Sequence, residues 1–448
     1  MYNLLSQKYL SASRKNMDQP ILKFIFTQNY KNLSLSQAIE LKNLNIFIGS
    51  NGSGKSNFIS TLKFLKDCLT NVSDQSRGIT SFEEAISKIG NDRILDSSIA
   101  SPAVIKLLYG FSEILQYRTQ IKSPILDIDL FVDRKTQKLT IHQESLYAGD
   151  DLPNPDSSPF YYYKFHDPKL QKTGKGVISV NNNSKISSEL INKIPTNSLG
   201  LAIIPKLLEN SKYALTSVYA YRLRTQLINF VSQWQFYNAN NMDLHQIRNS
   251  EPKIGGNDIY LSTSGNNLPL VFENLTQENI DFEDSINNAM KSILPKTRRL
   301  RSLRSGRLSL TLEWHFEDIK EPFYLTEMSD GTVRMLCWAT ILHSPILPSL
   351  LVIDEPELGL HVSWMPILAE WIKQAARKTQ IIITTHSPDL LDHFTDCLEN
   401  VYCFYSQDKT HFSMKTLSHE ILDQKLEEGW QLGDLYRVGD PTVGGWPW

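Results

Sequence analysis

The segment from Leu44 to Leu69 constrains the fold more than any other part of the chain. Leu44–Ile48 has the length and apolar character of a strand, and it leads into the glycine-rich loop Gly49–Ser56. After this loop, apolar residues recur at helical spacing. The order of strand, glycine loop and helix satisfies G-x-x-x-x-G-K-[ST] in the setting that the motif requires. The sequence therefore predicts a phosphate-binding loop between a strand and a helix.

The glycine loop has the chemistry of a nucleotide site. Glycines let successive backbone N–H groups turn around phosphate oxygens, and the following helix adds the positive end of its dipole. Lys55 would neutralise the β- and γ-phosphates, and the hydroxyl of Ser56 would ligate Mg²⁺. The candidate ATP-binding residues of this segment are Gly49, Ser50, Asn51, Gly52, Ser53, Gly54, Lys55, Ser56 and Asn57.

Two acidic residues end a second apolar run. Leu350–Ile353 is followed by Asp354 and Glu355, which is the pattern of a buried strand that delivers carboxylates to the carboxyl edge of a sheet. Asp354 would belong to the Mg²⁺ shell, and Glu355 would polarise the attacking water. On its own such a strand is more often structural, and the glycine loop is what favours the catalytic interpretation.

A histidine closes the next apolar strand. His386 follows Ile381–Thr385, so its imidazole should emerge at the same sheet edge as Asp354 and hydrogen-bond the γ-phosphate or the attacking water. A single histidine at a strand end is usually a packing residue, but its place one strand after Asp354 and Glu355 favours phosphate sensing. Lys55, Glu355 and His386 are therefore the predicted catalytic residues.

Length and composition restrict the class of protein. At 448 residues the chain exceeds the usual size of one core, which predicts two lobes or one core with a large insertion. Because Lys and Arg number 46 and Asp and Glu 48, any polyanion site must be a local patch. The four cysteines form no C-x-x-C pair, and neither a signal peptide nor a membrane span is evident. These features predict a cytoplasmic protein without membrane association.

The segment order predicts an α/β fold. Apolar strands alternate with helices in the last third of the chain, which implies a parallel sheet covered on both faces. Earlier segments are predicted as a hairpin over Leu126–His142, loops with a short aromatic strand over Asp150–Asn197, and helices over Ile203–Tyr237 and Leu268–Leu294. The predicted domains are an N-terminal extension (1–16), a first ATPase lobe (17–150), an inserted region (151–320) and a second ATPase lobe with an aromatic tail (321–448).

Three further motifs give the chain a family resemblance. Glu327–Thr332 precedes the acidic strand, Pro356–His361 follows it, and Thr385–Pro388 contains the histidine. Together with the glycine loop, these motifs resemble ATP-binding-cassette (ABC) ATPases. They resemble in particular the branch of these ATPases that includes RecF-like repair proteins, structural-maintenance-of-chromosomes heads and overcoming-lysogenization-defect nucleases. Within this branch, the chain resembles the stand-alone bacterial AAA family ATPases. The resemblance covers Ile21–Ile59 and Leu325–Phe394.

The resemblance implies an ABC-type P-loop head with a parallel-sheet core, an antiparallel β lobe and an inserted, mostly helical region. It implies that Ser329 and Gly331 form a signature loop that reaches the γ-phosphate bound by a second subunit. A serine that caps a helix is the structural alternative, and both interpretations can hold together. Asp330 departs from the pattern, because a glycine is common there. The glutamine of the lobe-linking loop is not identifiable, and Gln143 is only a candidate.

The resemblance also concerns partners. ATP would join two chains into a homodimer or a higher oligomer, with Pro356–His361 crossing the dimer near the opposing site. About sixty residues follow His386, fewer than an independent domain needs, so the nuclease module of the overcoming-lysogenization-defect proteins does not fit there. We therefore expect a separately encoded effector of the nuclease type as a partner.

Two further features, the basic segment and the aromatic tail, each allow two interpretations. Residues 296–307 hold six cations in twelve positions, and they either contact nucleic-acid phosphates or form a solvated hairpin edge. The aromatic tail packs on the ATPase body or docks a partner. Its aromatic residues are Trp430, Tyr436, Trp446 and Trp448.

The first functional hypothesis is a Mg²⁺-dependent ATPase whose ATP-sandwiched dimer controls a partner effector. The family resemblance assigns this activity to bacterial defence against phage. The alternative is a RecF-like DNA-binding clamp in repair or recombination, which the basic segment motivates. A scaffold without hydrolysis is disfavoured, because Asp354, Glu355 and His386 are all intact.

Overall fold

The computed structural model describes most of the chain. The predicted extension 1–16 and the tail residues Trp446 and Trp448 lie outside the described residues. The described residues are 22–71, 79–90, 93–112, 123–149, 159–167, 173–182, 185–209, 211, 213–406 and 411–444. The chain divides into two compact units. Unit 1 comprises Met1–Lys42, Gly49–Trp234 and Cys403–Lys415, and unit 2 comprises Asn43–Ile48, Gln235–Tyr402 and Thr416–Trp448.

Unit 1 is built on an antiparallel sheet of eight strands in the order β2-β1-β4-β5-β6-β7-β8-β9. These strands are β1 (Leu22–Gln28), β2 (Ile39–Glu40), β4 (Ala103–Phe111), β5 (Pro124–Asp133), β6 (Lys138–Ala148), β7 (Phe160–His166), β8 (Thr173–Asn182) and β9 (Lys185–Pro195). Strand β5 alternates buried apolar residues such as Ile128 and Leu130 with half-buried Asp127 and Asp129. This period of two places one face of the strand in the core.

The described residues of unit 1 form four helices in addition to this sheet. They are α1 (Lys55–Thr70), α2 (Ser81–Ile89), α3 (Gly200–Leu207) and α4 (Tyr219–Ser232). Helix α1 buries Phe58, Leu62 and Leu65, and each such side chain contributes about 2 kcal/mol to folding. Helix α2 begins with a capping box in which Thr80 accepts the N–H of Glu83 and Glu83 accepts the N–H of Thr80.

A fully buried carboxylate anchors the start of α3. Glu144 accepts the N–H of Gly200 at 2.5 Å and that of Leu201 at 2.7 Å. Burial raises the pKa of Glu144 to about 7, although both N–H bonds act in the opposite direction. Its neighbour Gln143, the candidate for the lobe-linking glutamine, pairs with His166 across β6 and β7.

Unit 2 contains four parallel strands in the order β10-β14-β15-β3. They are β3 (Leu44–Ile48), β10 (Gln235–Asn238), β14 (Leu350–Asp354) and β15 (Gln380–Thr384). Every residue of β3 and β15 is buried, as expected of parallel strands covered on both faces. Strands β16 (Val401–Ser406) and β17 (Phe412–Thr416) are each divided between the two units.

A second, three-stranded sheet in unit 2 has the order β11-β12-β13. Its strands are β11 (Thr297–Ser305), β12 (Ser309–Phe316) and β13 (Phe323–Tyr324). The helices of unit 2 are α5 (Leu244–Arg248), α6 (Leu268–Glu278), α7 (Asp281–Ile293), α8 (Asp330–Leu342), α9 (Met365–Ala376), α10 (Pro388–Leu391), α11 (His419–Glu427) and α12 (Leu432–Arg437). Short 3₁₀ turns occupy Leu215–Ser217, Ala239–Asn241, Leu325–Glu327, Val362–Trp364, Asp392–Asn400 and Pro441–Val443.

The structure confirms several predicted elements and corrects two. The hairpin is β5 and β6, and Leu268–Leu294 is helical as α6 and α7. The prediction of loops over Asp150–Asn197 was wrong where β8 and β9 pair, because the polar residues Asn181 and Asn182 at the end of β8 obscured its period of two. The helix predicted over Ile203–Tyr237 was wrong at its end, where β10 pairs with β14. The region predicted as inserted therefore contains strands β7–β12 as well as helices α3–α7.

Across the described parts of the chain, every helix is too short or too polar to serve as a membrane span.

Candidate nucleotide-binding and catalytic site

The glycine loop in unit 1 has the backbone of a phosphate cradle. Gly52 and Gly54 have φ of 77° and 100°, values that side chains with a Cβ rarely adopt. Helix α1 begins directly after Gly54 without a side-chain cap. Its first N–H groups therefore lack a capping side chain, and they suit an anion at this end of the helix.

Lys55 folds back over its own loop. Its Nζ donates to the carbonyl oxygens of Gly49 at 2.8 Å and Ser50 at 3.0 Å. The side chain is only 6% exposed, so these carbonyls hold the ammonium group inside the loop. Ser56, the predicted Mg²⁺ ligand, is exposed on the first turn of α1.

A second segment of unit 1 braces this loop. Asn32 donates through Nδ2 to the carbonyl of Gly52 at 2.8 Å, and its Oδ1 accepts the amide of Asn57 at 2.5 Å. Asn57 was predicted to bind nucleotide, and the structure gives it this bracing contact. Asn32 was not predicted, because a single asparagine in an irregular segment carries no motif.

Strand ends meet in register at the acidic edge of unit 2. Asn238 pairs with Asp354, Asp354 with Thr384, and Thr384 with Phe47. Phe47 stands two residues before the glycine loop in the sequence. The carboxyl ends of parallel strands form the usual ligand-binding edge of an α/β sheet.

Asp354 is held by two neighbours on adjacent strands. Its Oδ2 accepts the amide of Asn238 at 2.7 Å, and its Oδ1 accepts the hydroxyl of Thr384. A carboxylate offers about four acceptor sites, so each oxygen keeps a lone pair for a further partner. The side chain is half-buried.

Glu355 has a left-handed backbone with φ of 52°, which is uncommon for a residue with a Cβ. Its N–H is fixed by the carbonyl oxygen of Thr384 at 3.1 Å and by the Thr384 hydroxyl at 3.2 Å. Its Oε2 lies 3.3 Å from the amide nitrogen of Asn240. The backbone turn therefore directs Glu355 away from the path of β14.

Glu357 organises the segment that contains His386. Its Oε1 accepts the hydroxyl of Thr385 at 2.7 Å and the N–H groups of His386 at 3.0 Å and Ser387 at 3.2 Å. Burial raises the pKa of Glu357 above its usual value despite these bonds. Its Oε2 is buried and has no partner among the described residues. A proton on Oε2 would therefore leave all three bonds intact.

The predicted signature turn begins helix α8. Ser329 is exposed, and its hydroxyl caps the helix by accepting the N–H of Thr332 at 3.3 Å. A Cβ on Gly331 would lie 3.0 Å from the ring of Trp364 and 3.3 Å from the carbonyl oxygen of Gly359. Glycine at 331 thus allows the turn to approach the Pro356–His361 loop closely.

Arg248 in α5 neutralises Asp330, the residue that departs from the signature pattern. Its Nη2 lies 2.5 Å from Asp330 Oδ1 and donates to the carbonyl oxygen of Met328 at 2.8 Å. The guanidinium therefore contacts both sequence neighbours of Ser329. An acidic residue beside an anion-binding turn is unfavourable unless a cation screens it.

Sequence reasoning missed several residues that shape this site. Asn238 ends strand β10 and Asn240 lies in the 3₁₀ turn that follows it, and both were missed because the segment before them was predicted as a helix. Thr384 is the last residue of β15, and only His386, two residues later, was predicted to act in the site. The run Asn238-Ala239-Asn240-Asn241 after the aromatic residues of β10 was the one local signal for them.

The basic segment is strand β11 at the edge of the three-stranded sheet. Arg299 pairs with Glu283, Arg301 with Glu313 at 2.9 Å, and Lys296 with Asp318 at 3.7 Å. Within residues 296–307, all of which the structure describes, the exposed cations without an observed ion pair are Arg298, Arg304 and Arg307.

The fold and the motif order define an ABC-type P-loop ATPase. A search of solved structures found a similar fold in "Crystal structure of the SmcHead bound to the C-winged helix domain of ScpA". That protein is 12% identical with a TM-score of 0.51, and the match covers 90% of this chain and 99% of that chain. A search of curated proteins found no match.

Two other matched structures are heads of the same kind. The "SMC head domain from Thermotoga maritima" is 11% identical with a TM-score of 0.42, over 89% of this chain and 99% of that one. The Smc head of Pyrococcus furiosus, with an extended coiled coil and bound to the C-terminal domain of ScpA, is 12% identical with a TM-score of 0.45. That match covers 91% of this chain and 99% of that one.

The sequence profile of the AAA_21 family, described as "AAA domain, putative AbiEii toxin, Type IV TA system", matches residues 44–392. This range is more than half of the 448 residues. The chain therefore belongs to this family of AAA ATPases.

Proposed function

We propose that this protein is a Mg²⁺-dependent ATPase that forms an ATP-sandwiched dimer and controls a partner effector in bacterial defence against phage. The observation that carries the proposal is the left-handed backbone of Glu355, with φ of 52°. Such a conformation costs on the order of 1–3 kcal/mol and persists where the surroundings enforce it, often at functional sites. Here Thr384 enforces it through two contacts to one N–H.

Glu355 is the proposed general base. It would accept a proton from water while the water oxygen forms a bond to the γ-phosphorus. The bond between that phosphorus and the bridging oxygen then breaks, and the electron pair leaves with ADP. Lys55 would exchange the carbonyls of Gly49 and Ser50 for phosphate oxygens, and His386 would donate to the γ-phosphate.

Ser56 and Asp354 are the proposed Mg²⁺ ligands. A hydroxyl and a carboxylate are the oxygen donors that Mg²⁺ prefers. The exposure of Ser56 and the remaining lone pairs of Asp354 fit this role. When bound, Mg²⁺ would neutralise charge on the β- and γ-phosphates.

The signature turn supports the dimer. Ser329 is exposed at the start of a helix of 13 residues, which suits an anion presented by another molecule. Apolar side chains are exposed nearby, with Leu358 at 37% and Val362 at 58%. In the proposed dimer these side chains would be covered by the second subunit.

The effector and its biological setting rest on the family. The family description includes the words "putative AbiEii toxin, Type IV TA system", which supports a connection with a toxic activity. The SmcHead structure contains a bound domain of ScpA. This supports the proposal that a head of this fold acts through a protein partner. We propose a separately encoded, nuclease-type effector as the partner of this chain.

Light scattering with saturating ATP tests the sandwich. Glu355→Gln should trap ATP and shift the protein from monomer to dimer, and the addition of Ser329→Arg should prevent this shift because a bulky cation blocks the turn. A Glu355→Gln protein that binds ATP and stays monomeric would exclude the sandwich.

A DNA-binding clamp is the second candidate, and the exposed cations Arg298, Arg304 and Arg307 favour it. Filter binding over a salt series decides, because each phosphate contact steepens the salt dependence. A steep slope that is lost when these three are neutralised supports the clamp. Neutralising the paired Arg299 and Arg301 is the matched control, and absent binding supports a protein partner.

A further inference from the structure

We propose that Tyr436 in the C-terminal helix α12 is a positioning residue that fixes the tautomer and ring orientation of His386. This inference rests on the proposed function, in which His386 contacts the γ-phosphate. It concerns the aromatic tail, which nothing in the ATPase motifs explains.

The backbone around Gly433 docks α12 onto the segment that follows His386. The N–H of Gly433 donates to Asp392 Oδ1 at 2.8 Å, and the N–H of Leu432 donates to the hydroxyl of Thr395 at 3.0 Å. A Cβ on Gly433 would lie 2.0 Å from the carbonyl oxygen of Pro388 and 2.4 Å from Asp392 Oδ1. The contact is therefore so close that only glycine fits.

This docking brings a buried phenol against the histidine. The Oη of Tyr436 lies 3.2 Å from His386 Nδ1, and Tyr436 is 4% exposed. Glu357 already fixes the backbone N–H of His386 at 3.0 Å. Glu357 thus fixes the backbone of the histidine, and Tyr436 contacts its ring at Nδ1.

The direction of this hydrogen bond decides what the ring can do. A neutral imidazole has one N–H donor and one bare acceptor nitrogen, and the partner of one nitrogen selects which is which. If the phenol O–H donates to Nδ1, the proton resides on Nε2. Nε2–H can then donate to a phosphate oxygen, whereas the opposite tautomer would present a lone pair to an anion.

Selective ¹⁵N-histidine NMR of the full-length, nucleotide-free protein at pH 7.5 tests the tautomer. The His386 signal is identified by its loss in His386→Asn. We expect a protonated Nε2 and a bare, hydrogen-bonded Nδ1 in the wild type. In Tyr436→Phe the Nδ1 signal should move toward that of a free acceptor, with mixed tautomers. Protonation of both nitrogens or of Nδ1 alone in the wild type overturns the proposal.

Steady-state ATP hydrolysis tests the consequence. Tyr436→Phe should lower kcat about fivefold with little change in KM, because one neutral hydrogen bond that acts on the transition state is lost. Gly433→Ala, which displaces α12, should reproduce both the kinetic and the NMR change.

Two controls separate positioning from stability. Tyr109→Phe removes a buried tyrosine hydroxyl of unit 1 that donates to the carbonyl oxygen of Thr61 at 2.8 Å. Arg437 lies in the same helix as Tyr436, and Arg437→Ala removes its exposed ion pair with Asp389 at 3.1 Å. Neither should change the His386 signal or kcat.

The outcomes also separate this inference from the proposed function. A wild type that hydrolyses no ATP contradicts the ATPase, while the NMR of the nucleotide-free protein still decides the Tyr436 contact. An active wild type whose Tyr436→Phe variant keeps both tautomer and kcat overturns this inference alone.

Discussion

The glycine loop of unit 1 and the acidic edge of unit 2 are built in opposite ways. Lys55 bonds to Gly49 and Ser50, so the loop closes on residues five and six positions away. Asp354 is instead held by Asn238, 116 positions away, and by Thr384, 30 positions away. The loop is a local device, whereas the edge exists only because parallel strands align in register.

The largest expected effect tests the acidic edge. Glu355→Gln keeps the size of the side chain but removes the proposed base, so kcat should fall about 10³-fold while ATP binding persists. Phosphate release in a coupled assay measures the rate, and equilibrium dialysis measures binding. Glu370→Gln, an exposed change on α9, should leave both unchanged. Full turnover by Glu355→Gln would remove the base from this position.

The next largest effect tests the glycine loop. Lys55→Ala removes the cation from the loop, and kcat/KM for ATP should fall about 10²-fold because the phosphates lose a charge-assisted donor. The same assay measures it. Lys63→Ala, an exposed lysine on the same helix, is the matched control. A Lys55→Ala protein with wild-type turnover refutes the nucleotide-binding role of the loop.

A smaller effect concerns Arg248 and Asp330. Arg248→Ala leaves the Asp330 carboxylate unscreened beside Ser329, so ATP-dependent dimerisation and turnover should weaken about tenfold. The double variant Arg248→Ala, Asp330→Asn should recover most of this loss, because the repelling charge is gone.

The recovery separates screening from direct phosphate binding by Arg248. A double variant as weak as Arg248→Ala would assign the arginine to the phosphate itself. Arg377→Ala, an exposed change at the end of α9, should have no effect.

The smallest effect tests the support of the acidic edge. Asn238→Ala removes the 2.7 Å bond to Asp354, so about fivefold more Mg²⁺ should be needed for half-maximal activity, since partners of metal ligands orient them. A Mg²⁺ titration of the ATPase rate measures this change. Asn249→Ala, which removes an exposed bond to the His245 carbonyl oxygen at 2.8 Å, is the control. An unchanged titration would show that strand register alone suffices.

Much of the fold could be predicted from the sequence because its patterns are short-ranged. The glycine loop, the apolar strands β14 and β15 and the helix cap at Ser329 each occupy fewer than ten consecutive residues. Strands β8, β9 and β10 were mispredicted, because polar residues at the end of β8 and the helix before β10 obscured the period of two.

The supporting residues of the site could not be predicted in this way. Arg248, Asn238 and Tyr436 lie in segments without a motif. Each acquires its role from a partner more than forty positions away. Asparagine, arginine and tyrosine occur throughout the chain, so their residue type alone does not mark these positions.

The sequence by itself determined which groups are proposed to carry the chemistry, because a lysine in a glycine loop and an acidic pair after a buried strand owe their form to neighbouring residues. Only the tertiary structure decided which groups hold them. Asn238 and Thr384 reach Asp354 through the register of parallel strands, and Tyr436 reaches His386 because Gly433 leaves room for a helix. Register and close packing depend on residues far apart in the chain, and local preferences of the backbone do not specify them.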